Sequence, residues 1–148
     1  PTLLDYIALD IPSPVQGKSF IPYLTGATKQ LPRNEVFGQY TRDMKRDNES
    51  RCVFDGRYWY IHYFSEGRSV DYPVDVDPVR FAAHIERCKT KGSRPFFQLY
   101  DIQNDPYQLK DVGADPKNKE IMDDLSDRLL KWMKEVDDQL INGPVSTA

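Results

Sequence analysis

Three groups of side chains could carry chemistry, and their spacing decides what each can do. Asp71, Asp75 and Asp77 crowd one loop and could offer oxygen ligands to a hard cation such as calcium. They lack the turn glycine and distal glutamate of an EF-hand loop, so Asp77 reads as a helix cap and the other two as solvated. His62 and His84 are the only histidines. Acid–base or ligand work needs a partner that orients the imidazole, and none is near either in sequence. Both read as packed or surface residues. Cys52 and Cys88 are neither close-spaced nor accompanied by a histidine cluster, which excludes a zinc knuckle or a disulfide framework. One disulfide or two buried free thiols fit, with free thiols the preferred reading. The chain has no Gly-x-Ser-x-Gly, no P-loop and no dinucleotide glycine fingerprint. Asn48-Glu49-Ser50 is a formal N-glycosylation acceptor, a tripeptide common by chance. Nothing here is a self-sufficient active site.

The bulk properties narrow the class. A chain of 148 residues allows one ordinary domain, or a small domain plus a piece of another. Its 39% hydrophobic and 12% aromatic content is enough for a packed core. Mean hydropathy is -0.65, and no run approaches the roughly 20 apolar residues of a spanning helix. A net charge of -3, with basic residues scattered among acids, gives no reason to expect nucleic acid or a membrane surface as a partner. The 11 prolines fit a loop-rich domain. The sequence opens on Pro1 without an initiator Met or a charged leader, and it reads as a piece of something longer.

The elements that must position these residues are organised around Phe97-Gln98-Leu99-Tyr100-Asp101-Ile102-Gln103-Asn104-Asp105-Pro106, an apolar strand running into an Asp-Pro turn. Upstream, Leu3, Leu4, Ile7 and Ala8 have the spacing of one face of a short helix that must dock on something. Residues Val15 to Gly26 read as an extended crossing anchored by Phe20, Ile21, Tyr23 and Leu24. Glu35 to Thr41 reads as a strand, and the charged stretch from Arg42 to Ser50 as a solvated loop.

Arg51 to Phe54, Asp55-Gly56 and Arg57 to Phe64 form the clearest hairpin, with Asp-Gly as its two-residue turn. In its second arm Tyr58, Tyr60, His62 and Phe64 share one face, and Trp59, Ile61 and Tyr63 the other. A strand aromatic on both faces is covered on both sides or packs on a neighbouring domain. Asp77-Pro78 starts a short helix. Asp115-Pro116 repeats the device, and Ile121, Leu125, Leu129, Trp132, Val136 and Leu140 follow at helical steps until Gly143-Pro144. The fold class is α+β: about four short antiparallel strands packed against one long C-terminal helix, preceded by a short helix and an extended segment outside the sheet.

Four pieces in order then resemble a known family. Pro1-Thr2-Leu3-Leu4-Asp5, Ile11-Pro12 and the run from Gly17 to Gly26 are similar to the stretch closing the catalytic domain of type I sulfatases. Arg51-Cys52-Val53 with Arg57-Tyr58-Trp59-Tyr60-Ile61 resembles the arginine-led hairpin of that family. Leu99-Tyr100-Asp101-Ile102 with Asn104-Asp105-Pro106 resembles its Leu-Tyr-Asp-Leu, Asp-Pro signature, and the Trp132-Met133 helix its last helix. Departures fall at Gln98, at Tyr107, Gln108 and Asp111-Val112, and at Ala8-Leu9-Asp10-Ile11.

The resemblance implies residues 1–32 as the tail of a catalytic domain and 33–148 as a C-terminal subdomain. It implies a parent that is a sulfuric ester hydrolase of the alkaline-phosphatase-like superfamily, acting on a sulfated small molecule or glycan. Calcium and a formylglycine made from Cys/Ser-x-Pro-x-Arg belong to the missing N-terminal catalytic domain, the expected partner. A periplasmic, secreted or lysosomal location is implied with them. Cys52 is followed by Val53-Phe54-Asp55 and Cys88 by Lys89-Thr90-Lys91, so neither fits the nucleophile motif, and no catalytic or metal residue carries over. Loop position and side-chain chemistry make Arg42, His62 and His84 the candidate substrate contacts. Two other readings stand beside this one: a stand-alone glycan-binding module using Tyr58, Trp59 and Tyr60 as an aromatic platform, and the corresponding part of a related phosphoesterase.

Overall fold

The computed structural model describes residues 1–40, 49–65, 77, 79–83, 86 and 93–143. It divides into two compact units, Pro1–Val36 and Phe37–Ala148. In the first, α1 (Thr2–Tyr6) and α2 (Ile21–Leu24) are short, and neither contains a buried residue. The Phe20 amide donates to Thr2 Oγ1 (3.1 Å), and the Arg33 guanidinium donates to the Gln16 carbonyl (3.1 Å). Leu3 and Leu24 are 79% and 68% exposed. The extended crossing expected over 15–26 is interrupted by α2. Pro22 lies in its first turn, where a missing N–H costs nothing, and the Thr25 hydroxyl donates to the Ile21 carbonyl at its end (2.8 Å).

The second unit is a four-stranded antiparallel sheet in the order β1 (Val36–Tyr40), β2 (Ser50–Phe54), β3 (Tyr58–Tyr63), β4 (Phe97–Asp101). Helix α3 (Lys119–Glu135) covers one face. The fold class matches the sequence reading. Val53, Tyr60 and Leu99 from the sheet meet Leu125, Leu129, Met133 and Leu140 in one buried cluster, which Trp132 and Phe37 flank. The Phe37 and Trp132 rings stack nearly parallel, centroids 5.0 Å apart.

The hairpin forms, but its register is one residue on from the one expected. Ser50 pairs with Tyr63 and Phe54 with Trp59, and the Asp55 amide donates to the Tyr58 carbonyl (3.3 Å). The two turn residues are therefore Gly56 and Arg57. Gly56 takes φ 100, the positive first position of a II′ turn. Asp55 then stands just outside, where its carboxylate accepts from the Arg57 amide (2.8 Å) and the Tyr58 amide (2.7 Å). Those two bonds select this register. Close approach of β1 to β2 depends on Gly38, since a Cβ there would lie 2.9 Å from Cys52 Sγ.

Among the described residues β4 is an edge strand, and its outer side is closed by the Asp111 side chain and the Val112 backbone. Asp111 Oδ1 accepts from the Leu99 amide (3.0 Å) and the Gly113 amide (2.9 Å), and the Val112 amide donates to the Leu99 carbonyl (2.8 Å). Asp111→Ala should leave the Leu99 amide without its acceptor, at a cost of about 1–3 kcal/mol. Faster hydrogen exchange at Leu99, with Asp111→Asn protecting it in part, would show this. An exchange rate unchanged by the alanine would refute it.

The long C-terminal helix also ends earlier than its periodicity suggests. Asp115 caps a 3-10 turn (Pro116–Asn118) through the Lys117 amide, α3 follows, and Val136 ends it. Asp137 takes φ 54, and a second 3-10 turn (Gln139–Asn142) carries Leu140 into the core. Asp138 lies beyond the end of α3 and bonds outside the helix. On the surface of α3, Asp124 pairs with Arg128 and Lys119 with Asp123.

Candidate functional site

Of the three sequence-derived contacts, Arg42 and His84 lie outside the described residues, as do Asp71, Asp75 and Cys88. His62 is described. It sits on β3, on the sheet face that also carries Val53, Tyr60 and Leu99, paired across strands with Arg51 and Phe97. Its ring is half-buried between Phe64 and Phe97, at centroid distances of 4.1 and 4.5 Å. Burial lowers its pKa below the usual histidine value, so the imidazole is neutral at pH 7. A neutral ring can donate and accept one hydrogen bond each, and it offers no fixed charge to an anion.

Asp77 behaves as the expected cap, its carboxylate accepting from the Val79 amide (2.9 Å). Cys52 carries a free thiol, whose pKa burial pushes up, the opposite of an activated nucleophile. Among the described residues no group of three or more His, Cys, Asp or Glu side chains is placed to hold a metal ion. These residues do not fit calcium or formylglycine. Glu49 and Ser50 of the glycosylation tripeptide are buried, an unfavourable setting for a modification that needs an accessible loop.

The aromatic platform proposed for Tyr58, Trp59 and Tyr60 does not exist as one surface. Strand alternation turns Trp59 away from its two neighbours, and Tyr60 is 1% exposed, packed in the core. The face opposite α3 carries Phe54, Trp59, Ile61, Tyr63 and Tyr100, all half-buried. Phe54 packs on Trp59 (5.5 Å). The Arg94 guanidinium lies 4.0 Å from the Tyr63 ring centroid and donates to the Ser65 carbonyl (3.1 Å). Burial first, and then Asp111, pushes the Tyr100 phenol up to about 12.

Among the described residues, the two long-range ion pairs with the shortest contacts escaped the sequence because nothing local announces them. Arg51 and Asp138, 87 positions apart, form a two-point pair (2.5 and 3.1 Å) with side chains 7% and 8% exposed. Arg57, in the hairpin turn, reaches Asp101 at the end of β4 (2.8 and 3.3 Å), and the Asn104 side-chain amide adds a third bond to that carboxylate (2.8 Å). The Arg57 hydrogen bond dominates in holding Asp101 down to about 2. The pair ties the arginine that leads the second arm to the aspartate of Leu-Tyr-Asp. Arg57→Ala should return Asp101 toward the ordinary value near 4, read from its carboxyl carbon shift during an NMR pH titration. An Asp101 midpoint still near 2 would assign the shift to the turn instead.

No protein-family profile matches the chain. It is 32% identical over 144 residues to an ulvan-active sulfatase of Formosa agariphila, covering 95% of this chain and 28% of that protein. It is 29% identical to an endo-4-O-sulfatase of Bacteroides thetaiotaomicron, covering 93% of this chain and 25% of that one. Among solved structures, a 2-O GAG sulfatase superposes with a TM-score of 0.71 at 21% identity, over 100% of this chain and 26% of that one. The phosphonate monoester hydrolase of Agrobacterium radiobacter does so with 0.59 at 20% identity, over 100% and 28%. The chain thus spans about a quarter of the length of the curated relatives and solved structures it matches. In sequence it is similar to a part of these sulfatases and in fold to a part of the matched structures, which is consistent with a C-terminal part of a sulfatase.

Proposed function

We propose that the chain is the non-catalytic C-terminal subdomain of a sulfuric ester hydrolase. In this reading residues 1–32 end the catalytic domain and residues 33–148 form the subdomain. The carrying observation is the alignment of 95% of this chain with only 28% of a sulfatase. The sulfur-attacking formylglycine and its calcium would belong to the catalytic part. The sheet face opposite α3 is apolar and only half-buried in the described residues, and it suits a contact with that part. Leu3, Tyr6 and Ile7, all exposed on or beside α1, need cover for the same reason.

The substrate would be a sulfated small molecule or glycan, with this subdomain walling one side of the cleft. One matched structure holds D-glucosamine-2-N,6-O-disulfate, which favours a glycan. Arg42, His62 and His84 are the side chains proposed to touch it. Alanine at each, in the longer polypeptide, should lower kcat/KM at least tenfold for a polymeric substrate. Unchanged values at all three would remove the cleft-wall role while leaving the subdomain assignment standing. That assignment has its own test. The purified chain should not hydrolyse aryl sulfates, and the coding sequence upstream should contain Cys/Ser-x-Pro-x-Arg. Turnover by the chain alone, or an upstream sequence without the motif, would overturn it.

A phosphoesterase parent is the second reading, because the matched phosphonate monoester hydrolase carries the same fold over this stretch. Phosphonate turnover without sulfate-ester turnover in the longer polypeptide would favour it.

A further inference from the structure

We draw no further inference here: the strongest candidate, the Glu49 carboxylate buried just before β2 with one oxygen lacking a hydrogen-bond partner, directly follows residues 41–48, which lie outside the described chain, so nothing in the structure shows what covers it.

Discussion

Asp138→Ala should lower the unfolding free energy of the chain by about 3–5 kcal/mol, measured by urea denaturation. The reason is the buried two-point pair that is lost. Arg51 is 7% exposed at its side chain, and both oxygens of Asp138 are committed to it. One guanidinium nitrogen also donates to the Ser50 carbonyl (2.9 Å), which fixes the head group against β2. Removing the carboxylate takes a two-point, charge-assisted pair from a buried guanidinium, and it also takes the cap from the Leu140 amide (3.1 Å) at the start of the last 3-10 turn. Leu140 would then leave the core more easily. The double variant Arg51→Met, Asp138→Leu should recover most of the loss, since a buried pair replaced by apolar groups is often neutral. Equal losses in the single and double variants would place the energy in packing and not in the pair.

The pH dependence of this pair has a definite sign. Burial raises the Asp138 pKa, but the Arg51 hydrogen bond and the Leu140 amide outweigh it, and the carboxyl lies below its usual value. Its stabilisation is therefore present above the unfolded value near 4 and is lost as pH falls through the lower folded value. Asp101 follows the same direction, over a window from about 4 down to about 2. Protonation of both groups weakens the fold in acid, and near neutrality their stabilisation is fully present and does not change with pH.

How far the sequence reaches depends on how local each cause is. The strand at Phe97–Asp101, the cap at Asp115 and the apolar stripe of α3 rest on neighbours within a few positions, so periodicity and turn chemistry find them. The hairpin is legible as a hairpin, but its register is settled by which amides the Asp55 carboxylate accepts from. Residue preference for Asp-Gly cannot distinguish those two outcomes. The end of α3 is missed because Asp138 satisfies a demand from Arg51, 87 positions away. Lys134 and Asp138 have good spacing, but a desolvated guanidinium outweighs an exposed i,i+4 lysine, worth a few tenths of a kcal/mol. His62 illustrates the limit for function. Its position on β3 was readable, whereas its half-buried place between Phe64 and Phe97 arises from pairing with β4.

Leu99→Ala should cost about 2–5 kcal/mol in the same denaturation experiment, comparable with loss of the buried ion pair. Leu99 is fully buried and belongs to the cluster that joins Val53 and Tyr60 to Leu125, Leu129 and Met133. Its neighbours cannot close on the space it leaves. Tyr60 is held opposite it in the β3–β4 register, and the Leu99 backbone is fixed on its outer side by Asp111 and Val112. A site braced on both sides relaxes little, which puts the cost toward the upper part of that range. Leu109→Ala is the control. That residue is 85% exposed, only ten positions along the same chain segment, and should change stability by no more than about 0.5 kcal/mol. A Leu99 loss below about 1 kcal/mol would mean that Asp111 and Val112 yield with the strand. In that case the edge bond to the Leu99 amide should fail with it, and hydrogen exchange there would accelerate in Leu99→Ala as much as in Asp111→Ala.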